Sequence, residues 1–373
     1  MSLSDEINKA RLQVHTDSYP MSIGEMVNLY RDGDLDIHPE FQRVYRWTEE
    51  QKSKLIESIL LGIPLPSFFV SQRQDGVWDV VDGLQRLSTI FSFLGELKKT
   101  DGTQAKPLEL RSTKYLPSLE GKVWDDPHNP DREVDIEIKR VFKREKLDIK
   151  IIKRESESDT KFELFQRLNT GGSKLSDQEV RNCMLLMLNV AGFEWLQTIA
   201  KNKDFIATTP LSGKQELECY AQELAFRLIV QRHYDEELRK KHTDVGPYLN
   251  AELNRIFSQE KPIINYEHEK IIFEKTFELF NLTLEDSSFK KYNHQKKRLE
   301  GAISIPVYEA LATALSFYIE NNQDIDIDKT KEMIAKASYS LTETKEFLDV
   351  MDKSVRPLDR MIAMISVGKE LIK

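Results

Sequence analysis

The sequence predicts an α+β fold in two parts, a small mixed sheet with helices over residues 1–175 and a helical part over residues 176–373. Three observations carry this. The segments with strand character, SFFVSQ, VWDVV and LDIKIIKR, all end by Arg154. Beyond them almost every segment repeats its apolar residues with the helical period, and no strand is expected after residue 155. Between the two parts lies a glycine pair, Gly171-Gly172, followed by Ser176-Asp177-Gln178-Glu179, a capping box with no Ser/Gly/Pro linker.

In chain order, Ser22 caps a helix over Ile23–Arg31, and Asp32-Gly33 ends it. Thr48-Glu49-Glu50-Gln51 is a capping box that opens a helix over Glu49–Leu61, and Gly62 stops it. SFFVSQ and VWDVV are joined by Gln74-Asp75-Gly76 and predict a hairpin. Asp82-Gly83 then turns the chain into the helical run LQRLSTIFSFLGEL. Residues 100–135 are rich in Pro, Asp and Gly and predict an insertion loop with short strands. LDIKIIKR is the next strand, and a helix capped by Ser158 or Asp159 runs to Leu168. Helices follow over Val180–Val190, Gln215–Tyr234, Tyr266–Phe280, Pro306–Glu320, Lys329–Ser338, Glu343–Met351 and Leu358–Ile372.

The 373 residues carry 54 Lys+Arg against 62 Asp+Glu, a net charge of −8, which argues against a chain that coats DNA along its whole surface. The basic run from Lys139 to Arg154 is a solvated helix face and strand on its plainest reading, with phosphate binding as the minor alternative. No apolar run approaches the roughly 20 residues that span a bilayer, and the N-terminus has charges where a signal peptide has its apolar stretch. Cys183 and Cys219 are too few for a disulfide framework or a four-thiolate zinc site. A cytoplasmic protein with no membrane contact is expected. The seven histidines include no pair at the local spacing of a helical metal site, so metal ligands are left unassigned.

Three segments carry chemistry. In VVDGLQRL a strand ends at Asp82, Gly83 turns, and a helix starts with Gln85 and Arg86 in its first turn. Helix-start N–H groups make an anion site, Gly83 would let an oxygen approach the backbone, and Arg86 would add a bidentate fork for phosphate. On that reading Arg86→Ala weakens anion binding and spares stability. The structural alternative has Asp82 as helix cap and Arg86 on a solvent face. In PEFQRVYRW, Arg43 and Tyr45 suit a nucleotide, with guanidinium on phosphate and ring against base; equally, the aromatics fill the core. In FELFQRLNTGGSKLSDQEVRN, Asn169, Thr170, Gly171 and Gly172 form either an anion-binding nest or an ordinary helix–turn–helix connection.

Together FQRVYRW, LIESILLGIPLP, VVDGLQRLSTI and FQRLNTGGSKLSDQEVRN resemble the N-terminal domain family of GmrSD-type restriction enzymes. The resemblance implies a ParB/sulfiredoxin-like domain with a D-G-Q-Q-R motif, matched here by Asp82, Gly83, Gln85 and Arg86, with Leu84 in place of the first Gln. It implies a module that binds an NTP, with Mg²⁺, in bacterial anti-phage systems directed at modified DNA. Asp82 and Arg86 would be its catalytic residues, and Arg43, Tyr45, Gly83, Gln85, Arg86 and Asn169 to Gly172 would line the nucleotide pocket. Leu84 puts hydrolysis in doubt while binding survives. The C-terminal half has no D-H…N…H nuclease pattern, so DNA cleavage is expected to come from a partner nuclease or other defence subunit. Two alternatives stand beside this: a metal-dependent DNA nuclease in which Asp79 or Glu57 converges on Asp82, and a non-catalytic DNA- or protein-binding scaffold.

Overall fold

The computed structural model describes residues 16–37, 47–73, 75–99, 101–153, 176–258, 263–322 and 324–373. The chain divides into two compact units, Met1–Lys174 and Leu175–Lys373. The first is α+β and the second is almost wholly helical.

In the first unit β1 (Thr16–Ser22) runs into α1 (Ile23–Asp32) at Ser22, whose hydroxyl accepts from the Glu25 N–H at 3.1 Å. Gly33 ends the helix with φ 83°, and β2 (Leu35–Asp36) follows. The capping box at Thr48 and Gln51 forms in both directions, at 2.9 and 3.3 Å, and opens α2 (Glu49–Leu60). The hairpin is β3 (Phe68–Gln72) and β4 (Trp78–Asp82), and α3 (Leu84–Phe93) starts one residue later. After the loop come α4 (Ile136–Arg144) and β5 (Lys146–Ile152). The sheet order is β1-β5-β3-β4-β2, with β3/β5 and β2/β4 parallel and the other pairs antiparallel, a mixed sheet.

The register sorts this sheet into two faces. Leu35, Trp78, Val80, Val70, Phe68, Ile149 and Ile151 share the face that packs on the core with Ile56, Leu87, Ile90 and Phe91. Asp36, Asp79, Ser71, Phe69, Lys150, Asp148 and Ser18 share the other, which is mostly polar. Between Phe69 and Val70 the register shifts, giving β4 one extra residue, Val81. That bulge turns Asp82 out of the alternation it would share with Val80 and sets it opposite Phe69, on the polar face.

The loop after α3 contains 3-10 turns at Pro117–Leu119 and Pro130–Arg132 and two isolated bridges, and the short strands expected there do not form. It is held instead by α2: Glu57 accepts from the N–H groups of Tyr115 and Leu116 at 2.9 and 3.1 Å, and Ser53 accepts from Arg111 at 2.8 Å. The basic run behaves as a solvated face: Lys139 pairs with Asp125 and Glu133, and Lys153 with Asp17. The helix expected before Leu168 lies outside the described residues.

The second unit is built from α5 (Asp177–Leu188), α6 (Val190–Ala200), α7 (Lys203–Thr208), α8 (Gly213–Leu217), α9 (Tyr220–Arg232), α10 (Glu236–Lys240), α11 (Val245–Ile256) and α12 (Tyr266–Leu284), then α13 (Ile305–Asn321), α14 (Ile327–Ser340), α15 (Lys345–Val350) and α16 (Pro357–Leu371). The helix expected over Gln215–Tyr234 is broken by Cys219 at φ 59°, and the one expected to reach Val190 stops at Asn189, which caps α6 by accepting from Gly192 at 2.9 Å. A hairpin of β6 (Lys291–Asn293) and β7 (Arg298–Glu300) departs from the expected absence of strands. Its sequence, KYNHQKKRLE, lacks the apolar alternation that marks a strand. Inside, Arg181 is buried and donates to Gln178 and Glu223 at 2.8 and 2.9 Å, and Arg227 joins Glu223 to Glu309. Among the described residues no helix is long and apolar enough to cross a membrane.

Two predictions follow from this packing. At Gly368 a Cβ would meet the Ala310 carbonyl oxygen at 2.0 Å, so α16 lies on the backbone of α13. Helix propensity favours Ala by about 1 kcal/mol, but overpacking costs roughly 1–3 kcal/mol or more where backbone must move. Gly368→Ala therefore lowers the thermal midpoint, whereas Gly213→Ala, with nothing near its Cβ, does not. The second concerns Glu269. Burial pushes its carboxyl up, but His233 and Arg232 override this and hold it at about 2, below the ordinary 4.5. A depressed carboxyl stabilises above its unfolded pKa. Urea midpoints should fall as pH drops from 4.5 towards 2, with a shallower fall in Glu269→Gln.

Candidate functional site

The turn between β4 and α3 is fixed by Gly83, at φ 96° and ψ 10°. The Gly83 carbonyl accepts from Leu87 at 2.8 Å and closes the first helical turn. The N–H groups of Leu84, Gln85 and Arg86 then stand at the positive end of α3 as first-turn donors. Glycine meets two demands here. Its φ suits few other residues, and a Cβ would lie 2.5 Å from the Phe68 ring and 3.2 Å from Arg86. The space expected for a ligand oxygen beside Gly83 is thus occupied by the protein's own side chains.

Arg86 is neither on a solvent face nor a free fork. Its side chain is 12 % exposed. Nη1 donates to the Pro66 carbonyl, and Nη2 donates to the Ser67 carbonyl and the Asp82 carboxylate, both at 3.1 Å. The guanidinium carbon stands 4.3 Å from the Phe68 ring centre. Burial lowers the pKa of Arg86 and Asp82 opposes this. Nor does Asp82 cap the helix: α3 has no side-chain cap, and Asp82 stays on the sheet with its side chain 38 % exposed. From Arg86 the polar chain continues. Ser67, whose carbonyl Arg86 holds, donates its hydroxyl to Asp148, which also takes Ser18 at 3.4 Å and lies 3.8 Å from Lys150.

The convergence required for a metal-dependent nuclease is not found among the described residues. Asp79 is buried and bound by Arg73, which also bridges to Asp36 at 2.8 Å. Glu57 is occupied by the loop N–H groups at Tyr115 and Leu116. Arg43, Tyr45, Asn169, Thr170, Gly171 and Gly172 lie outside the described residues. Ile37, the last described residue before Arg43, follows β2, which runs parallel to β4 and towards the end where Asp82 sits. Ser176, Gln178, Glu179, Arg181 and Asn182, the end of the third motif, form a capping box and buried hydrogen bonds within the helical unit.

The sequence reading missed Pro66, Ser67, Phe68 and Asp148, which build the turn's support from 18 to 62 residues away from Arg86, and it missed the bulge at Val81. The first had no local signal. Phe68 had one, since a large aromatic in a strand next to an obligatory glycine suggests close packing.

The first unit is thus a small mixed α/β domain whose candidate site is a strand–Asp-Gly–helix turn braced by an Asp–Arg pair. Residues 23–186 match the family model for the GmrSD restriction endonuclease N-terminal domain. This stretch of the chain is a GmrSD-type N-terminal domain, and it runs past the boundary between the two units into α5. No curated protein and no solved structure matches the chain.

Because Arg86 ties α3 to the segment before β3, its removal leaves two carbonyls and a carboxylate without their donor. Arg86→Ala should therefore destabilise by about 1–3 kcal/mol, contrary to the stability-neutral expectation from the sequence. Gly83→Ala should cost a similar amount, about 1–3 kcal/mol from its φ alone, before the Phe68 contact is counted. Urea denaturation measures both, and a midpoint equal to wild type for Arg86→Ala would contradict the bracing role.

Proposed function

We propose that the GmrSD-type domain is a nucleotide-binding regulatory module of a DNA restriction system, with the nucleotide's phosphates on the first-turn amides of α3. The observation that supports this most is the joint placement of Asp82 and those amides. The bulge at Val81 puts the half-exposed carboxylate on the polar sheet face, beside the positive helix end. In this reading the phosphate ligands are the amides of Leu84, Gln85 and Arg86, and the Arg86 side chain is a positioning residue that holds Asp82 and the helix start. Asp82 is the group that would meet Mg²⁺ on the phosphates or orient a water. Arg43, Tyr45 and Asn169 to Gly172, which lie outside the described residues, are assigned to the same nucleotide by the resemblance of their segments to the family. Leu84 offers no polar side chain to a water, so binding outlasts turnover and the bound nucleotide acts as a signal. DNA cleavage, in this reading, belongs to another subunit or domain.

Calorimetry with ATP and GTP, and with their non-hydrolysable analogues in Mg²⁺, tests the site. Gln85→Glu places a negative charge in the first turn, which favours the helix by about 0.3–1 kcal/mol yet repels a phosphate. The variant should lose at least tenfold in affinity, about 1.4 kcal/mol, measured where circular dichroism shows both proteins folded. Equal affinity in wild type and Gln85→Glu, or no binding of any NTP by wild type, would overturn the proposal. In parallel, the purified chain should leave plasmid DNA intact with Mg²⁺ or Mn²⁺, with and without NTP. Nicking abolished by Asp82→Ala would make the nuclease reading the correct one.

A further inference from the structure

Three helix ends of the second unit bring together four side chains that the phosphate-binding turn does not involve. His233 follows the last residue of α9, His268 and Glu269 stand in the first turns of α12, and Glu320 lies at the end of α13. A ligating atom from each of His268, Glu269 and Glu320 falls within 4.8 Å of the others. Nε2 of His268 is 3.6 Å from Oε1 of Glu320, and Nε2 of His233 is 3.0 Å from Oε1 of Glu269.

These separations are informative. At 3.6 Å the His268–Glu320 contact is too long for a hydrogen bond. Tetrahedral zinc with bonds of about 2.0–2.2 Å sets its ligand atoms roughly 3.3–3.5 Å apart, close to this value. His233 Nε2 stands against the Glu269 carboxylate, 3.0 Å from Oε1, and so helps to fix that carboxylate within the cluster.

Charge supports a cation. Arg232, 2 % exposed, grips Glu269 through Nε and Nη2 at 2.7 and 3.1 Å and reaches Glu320 at 3.3 Å. Its Nη2 lies on Oε1 of both carboxylates, the oxygens that also face the two imidazoles, and so fixes them beside one another, as an outer partner orients ligands at a metal site. Two carboxylates against one guanidinium leave one net negative charge. The ends of α9 and α13 add the negative poles of their helices, against the positive pole at the start of α12. One imidazole with two carboxylates suits zinc or a similar first-row metal better than Mg²⁺ or Ca²⁺, which favour all-oxygen sets.

We infer that His268, Glu269 and Glu320 form a binding site for a zinc-type divalent cation that clamps α12 to α13, with His233 at the end of α9 holding Glu269 in place. The site is separate from the nucleotide turn, so its test is independent of the proposed function.

Metal-stripped full-length protein should be titrated with Zn²⁺ by calorimetry and with Co²⁺ by visible absorption. One equivalent per chain, an intense tetrahedral Co²⁺ spectrum and a higher thermal midpoint with Zn²⁺ are expected. His268→Ala, at a half-exposed position, and Glu320→Gln should each weaken Zn²⁺ binding at least tenfold while keeping the metal-free midpoint. Absence of one-equivalent binding, or undiminished affinity in His268→Ala, would overturn the inference. If Glu320→Gln fails to fold, His268→Ala decides alone.

Discussion

The first unit depends on how Arg86 is held. Its guanidinium lies on Phe68, donates to two successive carbonyls ahead of β3 and closes on Asp82, joining the turn at residues 82–86 to the distant segment that leads into β3. Gly83 makes this possible, because any side chain there would strike the same Phe68 ring. The family's Asp-Gly and Arg positions are therefore first a folding device. The anion site proposed at the turn rests on it, since the device fixes where α3 begins and sets a carboxylate at the same turn.

This changes the chemistry assigned to the motif. A free arginine fork would bind phosphate through charge, and its loss would affect only the ligand. A buried arginine that supports the turn affects ligand and fold together, so substitutions there cannot be read as binding effects alone. The amides carry no side chain to remove, and the natural way to perturb them is a charge placed in the same turn. A bound phosphate would also sit near Asp82, which favours a bridging Mg²⁺ over direct contact between like charges.

The elements that could be read from the sequence are those whose partners are local. The capping boxes at Thr48 and Ser176, the stop at Gly33 and the β3–β4 hairpin each rest on residues within a few positions of one another, and each forms. What stayed hidden depends on distant partners. The bulge at Val81 is a property of two strands in register, and the 3-10 loop is shaped by Glu57 on a helix more than fifty residues earlier. β1, with Pro20 and little apolar alternation, is a strand only because β5 pairs along its whole length. The break at Cys219 interrupts an apolar pattern that continues undisturbed through it. The histidine–glutamate cluster draws on residues 233, 268, 269 and 320, where a search for local histidine spacing finds nothing.

The central claim is that the start of α3 is the phosphate site, and it is most directly tested by amide NMR. In ¹⁵N-labelled protein titrated with a non-hydrolysable NTP and Mg²⁺, the amide resonances of Leu84, Gln85 and Arg86 should move saturably, with the largest changes in the molecule at these three residues. Saturable binding that leaves these three amides unmoved and shifts resonances elsewhere would contradict the account.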